Sequence, residues 1–387
     1  MEESDEETQF AKQESEQESD KEFENVEEEH AEQEEQIPSK PITEDIIAEC
    51  LSLLCKTGDG LAHAYVRLDI HEREITDISM LKSFIHLRYI DISKNFVKDI
   101  SPLSSLTHML TLKADENLLT TAYLEEMPFL QIASFSHNKI STTEGINHPM
   151  LEHLNLNHNN ITQVTGLDAT KLSRLHTLEL RGNKLQTTDG IYLPSLKNLF
   201  LAANVIKHIE GMSRCPGLTT LHLRDNQLEN LDGFSEEQKE LQYINLRGNM
   251  IASVKEVAKF KCLPLLRALA LAENPAAEED DYRLEVLIAL RTLERLDKDE
   301  YTEEERSEAE SIYEQRRQEE EAAKIAAEEA EAARIAAEEA ARIAAEEAEA
   351  ARIAAEEAEA EAERARTETE EQPQVIPAEE PPVDEDN

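Results

Sequence analysis

The chain has 387 residues and a formal net charge of −45 at pH 7, with 84 acidic residues against 39 lysines and arginines. A charge of this sign and size repels the phosphates of nucleic acids and of anionic membranes, so we expect neither as a partner. The four cysteines (Cys50, Cys55, Cys215, Cys262) match no zinc-binding spacing and are too few for a disulfide scaffold, which favours reduced thiols in the cytosol.

The first segment, residues 1–42, holds 17 acidic residues against three lysines and contains only two phenylalanines. Such a segment cannot bury enough apolar surface to fold, and we predict an acidic disordered tail. Its opening, Met1-Glu2-Glu3-Ser4-Asp5, lacks the basic and apolar regions of a signal peptide, and the chain contains no apolar run of 18 residues. We therefore expect neither secretion nor a membrane span.

Residues 43–60 have a helical pattern. Thr43 precedes two acidic residues, which is typical of a helix N-terminus, and apolar residues then recur at helical spacing as far as Leu54. Glycines follow at Gly58 and Gly60, where a helix would end. We predict an N-terminal capping helix over residues 43–60.

A repeat occupies residues 61–275. Its core, apolar-x-x-apolar-x-apolar-x-x-Asn, occurs nine times between Leu87 and Asn274 with asparagines 21 to 25 residues apart. A degenerate copy, residues 65–73, precedes these and has Arg73 in place of asparagine. This pattern predicts a leucine-rich-repeat α/β solenoid with a period near 22, parallel β-strands on its concave face and short 3₁₀ turns on its return side. The nine asparagines are Asn95, Asn117, Asn138, Asn159, Asn183, Asn204, Asn226, Asn249 and Asn274.

We interpret these asparagines as structural, because a side-chain amide both donates and accepts hydrogen bonds. A ladder of such amides can pair the buried backbone groups of successive coils.

The sequence after the last repeat predicts three segments. Leucines spaced by three and four predict a helical C-terminal cap over residues 276–301, and residues 302–370, rich in Ala, Glu and Arg, predict a long single α-helix. An 18-residue unit is duplicated at 324–341 and 342–359, and its isoleucines lack the 3.5-residue seam of a coiled coil. Residues 371–387 are acidic and Pro-rich, and we predict a disordered tail. The predicted ion pairs of the helix are Glu331–Arg334, Glu338–Arg342 and Glu349–Arg352.

No catalytic constellation and no metal-ligand spacing stands out, so we expect a protein that is not an enzyme and needs no cofactor. His153 and His158 flank a repeat strand without a cysteine or carboxylate at ligand spacing, which favours surface positions.

Binding residues are predicted on the concave face, where the non-apolar strand positions point outward. One column carries Arg181, Arg224 and Arg247, and Phe200, His222 and Tyr243 lie on neighbouring positions. Arginine and aromatic residues dominate protein interfaces, so this patch favours protein binding, with an acidic partner surface. The alternative is that the arginines only increase solubility and pair with Glu179 or Asp225.

The period and the cap resemble a leucine-rich-repeat group that includes phosphatase regulators and an axonemal dynein light chain. Residues 51–58, 60–66, 86–89, 221–227 and 293–298 are more similar to a radial-spoke-associated family of motile cilia and sperm flagella. That resemblance implies a non-enzymatic scaffold in the ciliary or flagellar axoneme, monomeric within a larger assembly, with radial-spoke head proteins as partners and a role in sperm motility. The alternative is a soluble regulatory subunit, either a phosphatase regulator or an acidic nuclear histone-binding protein.

Overall fold

The computed structural model describes residues 37–58 and 60–370. Most of the predicted N-terminal tail and all of the predicted tail 371–387 lie outside the described residues. The chain divides into two compact units, Met1–Glu310 and Ser311–Asn387.

The first unit contains a 13-stranded sheet in which the strands follow one another in sequence order. All neighbouring pairs from the second strand to the twelfth are parallel, and the pairs at the two ends are antiparallel. The strands are β1 Leu51–Lys56, β2 His63–Asp69, β3 Tyr89–Asp91, β4 Thr111–Lys113, β5 Ile132–Ser134, β6 His153–Asn155, β7 Thr177–Glu179, β8 Asn198–Phe200, β9 Thr220–His222, β10 Tyr243–Asn245, β11 Ala268–Ala270, β12 Arg295–Leu296 and β13 Asp299–Glu300.

The core lies between the strands and the return side of each coil. The apolar positions of the repeat are buried, as Leu175, Leu178 and Leu180 show with no exposed surface. Each buried leucine stabilises the fold by about 1.5–3 kcal/mol, and no coil can cover its own apolar side without a neighbour. The return side carries 3₁₀ helices, as predicted, over Ser79–Ser83, Ser101–Ser105, Met212–Arg214, Val254–Cys262 and Pro275–Glu278.

The N-terminal cap differs from the prediction. Helix α1 spans only Glu44–Cys50, with the Oγ1 atom of Thr43 accepting a hydrogen bond from the backbone of Ile46. Residues 51–56, predicted as helix, form strand β1 and pair with β2. The helical spacing of the apolar residues was misleading because hairpin pairing with β2, from Lys56 with His63 to Leu51 with Leu68, determines the conformation. Leu54 remains exposed.

The C-terminal cap closes the opposite end of the sheet. Helix α2 spans Tyr282–Ala289, and β12 and β13 form an antiparallel pair after it. Asp297 lies directly after β12, where its Oδ1 atom accepts hydrogen bonds from the backbone of Leu271 and Ala272, each at 2.8 Å. The cap thus satisfies a backbone donor, that of Leu271, whose equivalents in the preceding coils bond to a carbonyl of the next strand.

The predicted long helix is present as α3, Glu303–Glu370. It begins at a capping box in which the Oγ1 atom of Thr302 accepts from the backbone of Glu305, 3.2 Å away, and Glu305 accepts from the backbone of Thr302 at 2.7 Å.

Within the second unit, the helix carries local ion pairs on an exposed surface. Arg334 lies 2.6 Å from Glu331 and Arg352 lies 3.0 Å from Glu349, whereas the predicted pair of Glu338 and Arg342 does not form. The isoleucines at 325, 335, 343 and 353 are about half exposed.

Candidate functional site

The nine asparagines lie in one buried ladder, and each exposes less than a tenth of its surface. Asn183 illustrates the geometry that they share. Its Nδ2 atom donates to the carbonyl of Leu156 in the preceding coil at 2.9 Å and to that of Leu180 in its own coil at 3.0 Å. Its Oδ1 atom accepts from the backbone of Ile161 at 3.1 Å. Both ends of the amide are therefore used between adjacent coils, and no polar atom of the side chain is available to a ligand.

The residue before each asparagine has left-handed backbone torsions. This conformation turns the chain from the strand into the ladder, and a side chain there costs about 1–2 kcal/mol relative to glycine. Two positions of the series are glycines. An added Cβ would lie 2.5 Å from Nδ1 of His158 at Gly182 and 2.4 Å from Oδ1 of Asp225 at Gly248. The residues concerned are Lys94, Glu116, His137, His158, Gly182, Ala203, Asp225, Gly248 and Glu273.

The predicted aromatic residues lie together on the concave face. Phe200 of β8 and His222 of β9 are register partners, and their rings stack with centroids 4.8 Å apart. Tyr243 of β10 meets His222 edge to face at 5.2 Å. We call Phe200, His222 and Tyr243 the aromatic ladder. Burial lowers the pKa of His222, which favours the neutral ring at neutral pH.

The predicted arginine column has a different charge environment from the one expected. Arg224 lies 3.0 Å from Asp225, and Arg247 forms a bidentate pair with Glu273 in which Nε is 2.8 Å from Oε2. This pair raises the pKa of Arg247 and lowers that of Glu273 through the hydrogen bonds between them. Two of the three guanidinium groups are thus neutralised within the protein, which weakens the expectation of an acidic partner. Arg181 is exposed.

Glu179 does not pair with an arginine. Its Oε1 atom lies 2.8 Å from Nε2 of His153, and its Oε2 atom accepts from Nδ2 of Asn157 at 2.6 Å. The hydrogen bond from His153 is the main reason why the pKa of Glu179 is lowered. Of the alternative pairings considered from the sequence, only Arg224 with Asp225 occurs.

An open depression of about 360 Å³ lies beside the aromatic ladder, towards the C-terminal cap. It is lined by Tyr243, Arg224 and Arg247 and by residues that the sequence analysis missed. The missed residues are Asn245, Ala270, Ala272, Glu273, Asp297, Lys298 and Asp299. Residues 268–272 carry the sequence signal that indicates this depression. Alanines occupy three successive outward positions there and leave space beside the larger side chains of β10.

The charges around this depression are balanced, with Arg224, Arg247 and Lys298 against Glu273, Asp297 and Asp299. The arrangement suits an extended polypeptide that stacks on aromatic rings and exchanges hydrogen bonds with both kinds of charge.

In the described ranges 37–58 and 60–370, no group of three His, Cys, Asp or Glu residues could hold a metal ion. Within the same ranges, no helix is both long enough and apolar enough to cross a membrane.

Two family models agree with this architecture. A family model described as "Leucine-rich repeat" matches residues 197–326, and a second, "Leucine Rich Repeat", matches residues 150–172. Among solved structures, a leucine-rich-repeat protein of Leptospira interrogans is 23% identical with a TM-score of 0.48, covering 59% of this chain and 60% of that one.

Two curated relatives extend the comparison. "Leucine-rich repeat-containing protein 23" of Bos taurus is 55% identical over 274 residues, which is 71% of this chain and 80% of that protein. "Cilia- and flagella-associated protein 410" of Homo sapiens is 41% identical over 96 residues, which is 24% of this chain and 37% of that protein.

Proposed function

Because the chain belongs to the family of leucine-rich repeat-containing protein 23, we propose that it is a non-enzymatic protein-interaction scaffold of the motile cilium or flagellum. Its partners are radial-spoke head proteins of the axoneme, and their assembly supports flagellar motility. The family resemblance supports the location, and the name of the second relative, a cilia- and flagella-associated protein, supports it independently.

The observation that carries the binding proposal is the aromatic ladder beside the open depression. Phe200, His222 and Tyr243 are held in contact on a rigid sheet, so a partner would meet their rings already positioned and would lose little side-chain entropy on ordering them. The balanced charges next to them supply polar groups that can orient a bound chain.

The alternative function is a soluble regulatory subunit. Fractionation of demembranated flagella distinguishes the two functions, because an axonemal scaffold remains with the microtubule fraction after detergent extraction. Release of the protein with the detergent-soluble fraction would favour the regulatory subunit.

The surface is tested by the double substitution Phe200→Ala and Tyr243→Ala in the full chain. Removing two interface aromatics that each contribute about 2 kcal/mol lowers affinity by 100-fold or more, on the order of 1000-fold if the effects add. Quantitative mass spectrometry of proteins captured from flagellar extract measures the loss of radial-spoke head proteins.

A matched control is Phe96→Ala, because Phe96 is a partly exposed aromatic outside the strands. It should leave capture unchanged, and the double variant should retain the thermal unfolding midpoint of the unaltered chain. Capture that survives the double substitution would place the interface elsewhere.

A further inference from the structure

A second depression, of about 210 Å³, lies at the N-terminal end of the sheet. The β1–β2 hairpin contributes Cys55, Lys56 and Val66, and the segments that precede β3 and β4 contribute His86 and His108. Arg88, Ile85, Thr57, Gly58 and Ala64 complete the lining. We call this surface the N-terminal depression.

The charge of the N-terminal depression is opposite to that of the protein. Lys56 and Arg88 are exposed cations, His86 and His108 are exposed imidazoles, and no carboxylate among the described residues lines the surface. Neither Lys56 nor Arg88 forms an ion pair with a described residue. In a chain of net charge −45, a surface of this kind attracts acidic segments, since no described carboxylate lines it to neutralise the cations.

Apolar surface adjoins these cations. Ile85, which lines the depression, is 54% exposed. His108 also stacks on the exposed ring of Phe129, with centroids 5.7 Å apart. An exposed isoleucine beside a stacked aromatic pair and two cations suits a docking site that would bind an apolar anchor between flanking negative charges.

We propose that the N-terminal depression binds this chain's own acidic segment around Phe23. Residues 1–36 hold 17 acidic residues and two lysines, so their charge complements the depression. Phe23 is flanked by Glu22 and Glu24 and followed by Val26, which provides an apolar anchor within a negative segment. Phe10 has Gln9 and Ala11 as its immediate neighbours in place of glutamates, so it is less suited to a basic surface.

The tether permits this contact. Phe23 precedes Ile37, the first described residue, by 14 positions, and an extended chain of that length spans up to about 50 Å. A tethered segment acts at an effective concentration in the millimolar range, so a weak contact is enough to keep the depression occupied. An acidic segment of another protein would then have to displace the tail, and binding at this end of the solenoid would be self-limited.

The full chain contains no tryptophan, so Phe23→Trp introduces a single fluorescent reporter. Its emission is expected at a shorter wavelength than that of the matched variant Phe10→Trp, because the docked ring leaves water. Adding Lys56→Glu and Arg88→Glu, or raising the salt to about 1 M, should remove the difference, since the contact is largely electrostatic. Identical emission from the two variants under all conditions would refute the docking.

Disulfide trapping locates the contact. In the full chain carrying Phe23→Cys, mild oxidation is expected to join residue 23 to Cys55, which lines the depression, in preference to the similarly accessible Cys262 near the other end of the sheet. The double charge reversal should lower this yield by about tenfold, because two exposed ion pairs are lost and two repulsions are gained.

Peptide mapping of monomeric and dimeric bands under non-reducing conditions shows whether the docked segment belongs to the same chain or to a second copy. A monomer with the 23–55 disulfide supports the proposal. A dimer would instead show that a second copy supplies the segment, and equal pairing with Cys262 would show that the tail does not select the depression; either result overturns the proposal.

Discussion

The solenoid and the long helix are ordered by opposite means. In the solenoid, Leu178 is fully buried and Asn183 bonds backbone groups more than 20 residues away. In α3, the described side chains from Gln315 onward are exposed, and ion pairs join residues three or four positions apart. The solenoid therefore depends on contacts between coils, whereas each turn of the helix depends on its own neighbours and on the high helix propensity of alanine.

The largest effect on stability is expected from Asn159→Ala, which tests the contacts between coils. It removes an amide that donates to the carbonyls of Phe135 at 2.9 Å and Leu156 at 3.1 Å and accepts from the backbone of Ile140 at 3.0 Å. Leaving these buried groups without partners is expected to cost about 3–5 kcal/mol, measured by chemical denaturation of the solenoid.

Asn160→Ala is the matched control, because Asn160 is adjacent and exposed and should change stability by less than about 0.5 kcal/mol. Helicity of α3 should be the same in both variants. Similar losses of unfolding free energy in the two variants would show that the hydrogen bonds of the asparagine ladder contribute little.

A medium-sized effect is expected from pH. His148 is buried and its Nδ1 atom accepts from the backbone of Met127 at 3.2 Å; burial lowers the pKa of His148 from 6.5 to about 4. The unfolded chain therefore binds more protons than the folded chain between these values, so stability falls as pH falls through this window. From pH 7 to pH 5 the loss is about 2 kcal/mol.

Denaturation curves at the two pH values measure this loss, and His148→Gln should reduce the slope because glutamine does not titrate in this range and can still accept a hydrogen bond from Met127. An unchanged slope would assign the pH dependence to other groups.

The smallest expected effect is that of replacing alanine by glycine, which has opposite signs in the solenoid and in α3. Ala203 has φ of 53°, so Ala203→Gly should stabilise the solenoid by about 1 kcal/mol. The same change in the helix, Ala337→Gly, should destabilise it locally by about 1 kcal/mol. Thermal unfolding reports the first change, and hydrogen exchange of helix amides reports the second. A destabilised Ala203→Gly variant would contradict the strain assigned to that position.

The sequence predicted the parts of the fold that its local pattern determines. The repeat identified the strands, and Ala, Glu and Arg identified α3, because each depends on residues within one repeat or one turn. Residues 51–56 were assigned to a helix since their pairing with β2 is not visible in local spacing.

The same limit applied to the candidate site. The column positions of Arg224 and Arg247 followed from the repeat. The carboxylate that neutralises Arg247 did not, since Glu273 lies 26 residues further along the chain. The contact of His222 with both Phe200 and Tyr243 likewise depends on register between three strands.

The asparagine ladder also determines how the solenoid would respond to a pulling force. Since each asparagine fastens its own coil to the one before it, a chain pulled at its ends would release coils one after another. Each released coil of about 22 residues would add roughly 75 Å of extended length. Under tension the protein would thus lengthen in nearly equal steps, and a force trace would show a regular sawtooth with the spacing of the repeat.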